Sequence, residues 1–232
     1  MESIDFLLKT STLPGPRGNL ELLYKFSKTA TETEINDCFR YYSDDLKNSQ
    51  EEFVVMCGIL GYCYLHQSKI ENTLSEIRKY ASHASWRIRE SVAMGIQELG
   101  VTDFEKTVNV LEKWMKGNQL EQRAVVAGLC EPKLLKKPEN AQKVMEILEQ
   151  IILTFNKIPE KITQDGESLR KALGYGLSVA MVALPIEGKN LFKKLETSKN
   201  KHILWILREN LKKNRLLKMD SNWVEEQKMK VL

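Results

Sequence analysis

From Ser85 to Gly100 the chain reads SWRIRESVAMGIQELG. Ile88, Val92, Gly95, Ile96 and Leu99 recur at helical spacing and predict a helix with one core-facing stripe. At ~100° per residue, Trp86, Glu90, Ala93 and Gln97 fall on the opposite side. The spacing projects a large aromatic and a carboxylate, with Arg89 nearby, away from the core that this helix helps to build.

The same period runs through most of the chain. A short helix over residues 3–9 leads into LPGPRGN (Leu13–Asn19), a break that no helix crosses. Asn19 is the expected N-cap of LELLYKFSK, and Thr31 or Thr33 that of the next helix. Ser49 and Glu52 have capping-box spacing and open EEFVVMCGILGYCYLH, apolar nearly all round and so buried on both sides. Gly58 and Gly61 inside it predict close helix–helix approach. Further helices are expected at Ile70–Ser82, Thr102–Lys116, Leu120–Cys130, Asn140–Asn156, Ser168–Leu184, Lys189–Leu195 and His202–Leu216. Lys157–Gly166 reads as a polar loop, and a tail is expected from Asp220. No segment alternates with period two, so the prediction is all-α, with antiparallel helix pairs. The expected buried centre is Val54, Val55, Ile59, Ile88, Val92, Ile96, Val125, Leu129, Leu173, Leu177, Ala180 and Leu184.

Composition narrows the function classes. Hydrophobic residues make up 42% and charged residues 28%, enough for a core and a solvated surface. The net charge of +4 is unevenly spread: Lys189–Lys218 holds eight Lys and two Arg against Glu196 and Glu209. Such a basic stretch is what an anionic partner needs, and it is equally what a lysine-rich solvated surface looks like. Cys38, Cys57, Cys63 and Cys130 form no CxxC pair and read as reduced thiols of a cytoplasmic protein. His66, His83 and His202 are scattered, so no metal is expected, and no nucleotide-cradling glycine loop predicts a cofactor. The opening MESIDFLLKTS lacks a signal-peptide pattern. The uncharged run Ala172–Ile186 is 15 residues, too short to cross a bilayer, so no membrane partner is expected.

Three helix openings superimpose: Trp86–Ala93, Leu120–Ala127 and Ser168–Tyr175, at offsets of 34 and 48 residues. Each has a cation at its fourth position, Arg89, Arg123 and Lys171, and a weaker fourth copy begins at His202. Two helices per unit at such a period predict a solenoid. The pattern resembles HEAT-like repeats over about residues 50–216. That resemblance implies one domain spanning 1–232, folded as a right-handed α-α superhelix of helix pairs, with residues 1–19 as leader and loop and 220–232 as tail.

Within that superfamily the chain is similar to the bacterial alkylpurine DNA glycosylases. The similarity rests on a Ser-Trp helix opening with a carboxylate one turn on (Trp86, Glu90), on Gln122-Arg123-Ala124, and on Lys171-Ala172-Leu173-Gly174-Tyr175. The family carboxylate is aspartate and its last aromatic tryptophan, where this chain has Glu90 and Tyr175, and the insertion before Ser168 is foreign to it. The resemblance implies Glu90 as the group that stabilises an oxocarbenium-like sugar or orients water. It also implies Trp86 and Tyr175 as faces for a cationic purine, and Arg123 and Lys171 as phosphate contacts. Arg89, Lys201 and Arg208 are the further cations a nucleic-acid groove would use.

Each residue also has a plain structural use. Trp86 and Tyr175 serve as packing groups, Glu90 as a surface ion pair with Arg87 or Arg89, and Arg123 as an inter-repeat hydrogen-bond donor. The expected function is a helical-repeat binding protein whose concave face takes a protein or nucleic acid, without catalysis. The alternative is a DNA-binding protein or a DNA repair glycosylase acting on alkylated purines.

Overall fold

The computed structural model describes residues 3–158 and 161–231. Every regular element among them is helical, with fourteen α-helices and one 3-10 turn. The chain divides at Leu111–Glu112 into two compact units. The first holds α1 (Ile4–Thr10), α2 (Leu20–Ser27), α3 (Glu32–Phe39), α4 (Gln50–Leu65), α5 (Ile70–Ile77), a 3-10 turn (Arg78–Ser82) and α6 (Trp86–Thr102). The division falls within α7 (Phe104–Met115). The second unit continues with α8 (Gln119–Leu129), α9 (Pro138–Phe155), α10 (Gln164–Ala183), α11 (Pro185–Leu195), α12 (Lys201–Leu211), α13 (Asn214–Met219) and α14 (Ser221–Val231).

Polar side chains start most of these helices by satisfying backbone N–H groups that have no partner in the first turn, while α5, α9, α11 and α13 lack such a cap. Asn19 accepts from the Leu22 N–H, and Thr31 and Glu34 complete a capping box, as do Asn118 and Glu121. Several boundaries differ from the sequence expectation, and His202–Leu216, expected as one helix, is divided between α12 and α13. Thr163 caps α10 and so draws Asp165 and Gly166 into its first turn, where acidic residues complement the helix dipole. Pro185 both ends α10 and opens α11, its fixed φ suiting a first helical position. The expected tail is instead α14, started by the Asp220 carboxylate accepting from the Trp223 N–H.

In the first unit α4 is the central rod, packed against α1, α2, α3, α5 and α6. Phe53, Val54, Val55, Cys57, Ile59, Leu60 and Cys63 are all fully buried, as its all-round apolar character predicts. A β-carbon on Gly58 would lie 2.9 Å from the Cys38 β-carbon, so α3 approaches as the glycines predicted. Ile88, Val92 and Ile96 of α6 are fully buried, and so is Ala93, which the spacing had put on the outer side. Because α4, α5 and the 3-10 turn all pack on α6, its contact with solvent is left to Trp86, Arg89, Glu90, Gln97 and Glu98 and to Val101 and Thr102 at its end.

In the second unit α10 takes the central place, packed against α8, α9, α11, α12 and α13. Leu173, Leu177 and Ala180 are fully buried, while Leu184 at its end is only half-buried. Gly174 and Gly176 lie about 200° apart around α10. A β-carbon on the first would meet Trp205 of α12 at 2.9 Å, and one on the second would meet Cys130 Sγ at 2.8 Å. Two missing side chains thus let α10 sit tightly between α8 and α12.

Candidate functional site

Trp86, Arg89 and Glu90 belong to the first unit; Arg123, Lys171, Tyr175, Lys201 and Arg208 belong to the second. On α6 the Trp86 ring is 53% exposed, and Glu90 one turn on is half-buried. Neither neighbouring arginine extends freely from this helix. Arg89 Nη1 donates to the carbonyls of His83 at 2.6 Å and Ala84 at 2.8 Å. Arg87 is buried, with its guanidinium 4.6 Å from the Trp86 ring centroid.

Arg87 belongs to a buried polar cluster. Its Nη1 donates to Glu52 Oε2 at 3.2 Å and its Nη2 to the Gly15 carbonyl at 2.5 Å. Glu52 also accepts from the Ser85 hydroxyl, and from the Asn48 N–H at 3.1 Å. The Ser49 hydroxyl accepts from the Glu52 N–H, so half of the expected capping box forms. The Glu52 side chain does not complete it, because a buried guanidinium and a buried hydroxyl claim the carboxylate first. The cluster joins α4, α6, the Leu13–Asn19 loop and the Asn48 turn within the first unit.

The second unit builds a different surface around Tyr175, which is 50% exposed on α10. Lys171 stands exposed one turn earlier on the same face. From α13, Arg215 Nη2 donates to the Tyr175 hydroxyl at 2.6 Å, with its guanidinium 4.4 Å from the ring centroid. Lys213 brings its ammonium to 5.7 Å from the same centroid. Beneath them Asn210 of α12 is fully buried. Its Oδ1 accepts from the Ser178 N–H at 2.7 Å, and its Nδ2 donates to the Leu173 carbonyl at 3.0 Å. One amide side chain therefore grips the α10 backbone on both sides of Tyr175 and fixes where the ring emerges.

The other predicted cations have different settings. Arg208 donates from Nε to the Val231 carbonyl and so ties α12 to α14. Arg123 is half-buried on α8, and Lys201 is exposed at the start of α12. Sequence reasoning did not single out Arg215 and Lys213. The signal for them was the basic run Lys189–Lys218, which spacing alone cannot relate to Tyr175 some forty residues earlier.

Charge follows the division of the chain. Residues 1–111 hold 12 Lys and Arg against 16 Asp and Glu, a net of −4; residues 112–232 hold 23 against 15, a net of +8. Part of the basic excess is neutralised locally, since Lys189 pairs with Asp220 at 2.6 Å and Lys194 with Glu149 at 2.5 Å. Burial pushes the Cys130 thiol up to about 12, although nearby Arg215 pulls it down. Cys38 and Cys63 are likewise pushed up to about 12 by burial, so these thiols are neutral packing groups.

A separate cavity of about 360 Å³ lies between the end of α7 and α9, lined by Met115, Ile147 and Ile151 with Glu112, Lys116 and Lys143. Among the described residues no group of His, Cys, Asp and Glu is arranged to hold a metal ion, and no helix is long and apolar enough to cross a membrane. Comparison of the chain with protein-family models, with curated proteins and with solved structures finds no match in any of the three.

Proposed function

We propose that the chain is a helical-repeat binding protein, not a catalyst, and that its second unit engages nucleic acid. The observation that carries this reading is the half-exposed Tyr175 set among Lys171, Lys213 and Arg215, in a unit of net charge +8. Nucleic-acid surfaces combine cations for phosphates with aromatic faces for bases. The repeat part of the proposal, HEAT-like pairs in a right-handed superhelix, is supported by the packing within each unit. There alternate helices touch, α2 with α4 and α4 with α6 in the first, α8 with α10 and α10 with α12 in the second. A cytoplasmic setting is part of the same proposal, supported by four free, buried cysteines.

The test is a salt titration of binding to fluorescent DNA oligonucleotides, single-stranded and duplex. Affinity is expected to fall steeply, with a log–log slope of about −0.7 to −0.9 for each phosphate neutralised. Absent binding at low salt, or binding indifferent to salt, would remove nucleic acid and leave a protein partner. Release of a methylated purine by the wild-type chain, lost in Glu90→Gln, would replace the binding reading with base excision.

A further inference from the structure

We propose that Tyr175, Arg215, Lys213 and Lys171 form a stacking site for single-stranded nucleic acid, with Tyr175 and Arg215 taking an unpaired base and the two lysines the flanking phosphates. The inference rests on the nucleic-acid reading above and specifies the form of the ligand.

Three observations carry it. First, the Arg215 guanidinium sits over the Tyr175 ring, 4.4 Å between guanidinium carbon and ring centroid, and its Nη2 donates to the hydroxyl. Aromatic rings and arginine planes both stack on bases, and a base offers its face only when it has left a duplex. In a paired helix the faces are covered by neighbouring bases, so a half-exposed tyrosine would meet only edges and backbone.

Second, the ring is held in place. Asn210 fixes the α10 backbone at Leu173 and Ser178, either side of the tyrosine, and Gly174 seats α12 closely against α10. A ring ordered before binding gives up less conformational freedom when a base arrives.

Third, the cations come from two different elements. Lys171 lies one turn before Tyr175 on α10, whereas Lys213 and Arg215 come from the segment after α12. A strand crossing the ring would therefore meet positive charge from both elements. Stacking and phosphate contacts do not read base edges, so binding is expected to be tolerant of sequence.

The experiment is fluorescence anisotropy with a labelled oligothymidylate of about 20 nucleotides, and with a duplex of about the same length. Wild-type protein is expected to bind the single strand more tightly. Tyr175→Ala is expected to weaken single-strand binding by roughly 5- to 150-fold while changing duplex binding less than about twofold. Tyr175→Phe keeps the ring and is expected to retain most of the affinity. Arg215→Lys keeps the charge but loses the plane. It is expected to weaken single-strand binding without changing the salt slope, whereas Lys213→Gln should make the slope shallower by about 0.7.

Duplex bound as well as single strand, with Tyr175→Ala indifferent, would overturn the stacking site and leave the general nucleic-acid reading standing. Binding of neither would overturn both. Polyglutamate competing as well as oligothymidylate would show a plain anion surface and overturn the stacking claim. Tyr175 is half-exposed, and matching thermal melts of the variants establish that any loss is not unfolding.

Discussion

At the residue scale, burial governs the four cysteines. Cys38, Cys63 and Cys130 have thiols pushed up to about 12 against an ordinary value of 9.0, and Cys57 is also raised well above it, each chiefly by burial. A raised folded value means the folded chain holds these protons more tightly than the unfolded chain does. Their contribution to stability is fully present below about pH 9 and is lost as pH rises toward 12. Urea melts at rising pH should therefore show the midpoint falling across that window, and replacing Cys63 with Ala should flatten part of the fall. Ellman's reagent at pH 8 should label none of the four in the native chain and all four in urea. Their buried state was legible in the sequence for the three that sit in apolar helical runs, Cys57, Cys63 and Cys130. The fate of Glu52 was not. Its spacing from Ser49 predicted a capping box of which only the Ser49 half forms, because the Glu52 carboxylate pairs with Arg87, 35 residues away. A contact of that separation leaves no mark in a short window.

At the element scale, helical periodicity located most helices and the all-α class. It failed where a residue belongs to two patterns. Pro185 is a stop signal and a start signal, and Asp165-Gly166 looks like a loop until Thr163 is seen to cap the helix around it. Ala93 shows a different limit: the face of a helix is not its exposure when neighbours close over both sides. The central position of α10 gives the sharpest prediction here. Leu177 is fully buried between its neighbours, so Leu177→Ala should cost ~2–5 kcal/mol through lost burial and residual cavity, read from chemical denaturation. A much smaller cost would mean that α8 and α12 relax into the space. The candidate site was half legible at this scale. Tyr175 and Lys171 share one helix face and could be found by counting; the α13 residues that complete the site are brought in by the packing of α12 on α10.

At the scale of the whole molecule, charge was the most legible property. A net of −4 before Leu111 and +8 after it needs only counting once the division is known. Long-range closure was the least legible, and the buried cluster of the first unit shows what it entails. The Gly15 carbonyl receives its proton from Arg87, 72 residues later, and Glu52 accepts from Ser85, 33 residues later. Neither bond is available to a chain still being made until the start of α6 has been synthesised. The Leu13–Asn19 loop thus gains its tie to Arg87 only once the start of α6 has been made, since contacts of such separation form late. Chains arrested with Arg87 still inside the exit tunnel should be cut rapidly by trypsin after Arg17. Chains arrested once α6 is outside should resist, and equal cutting in both would show that the loop closes without its distant donor. The Leu13–Asn19 loop therefore waits, during translation, on the helix that closes its own unit.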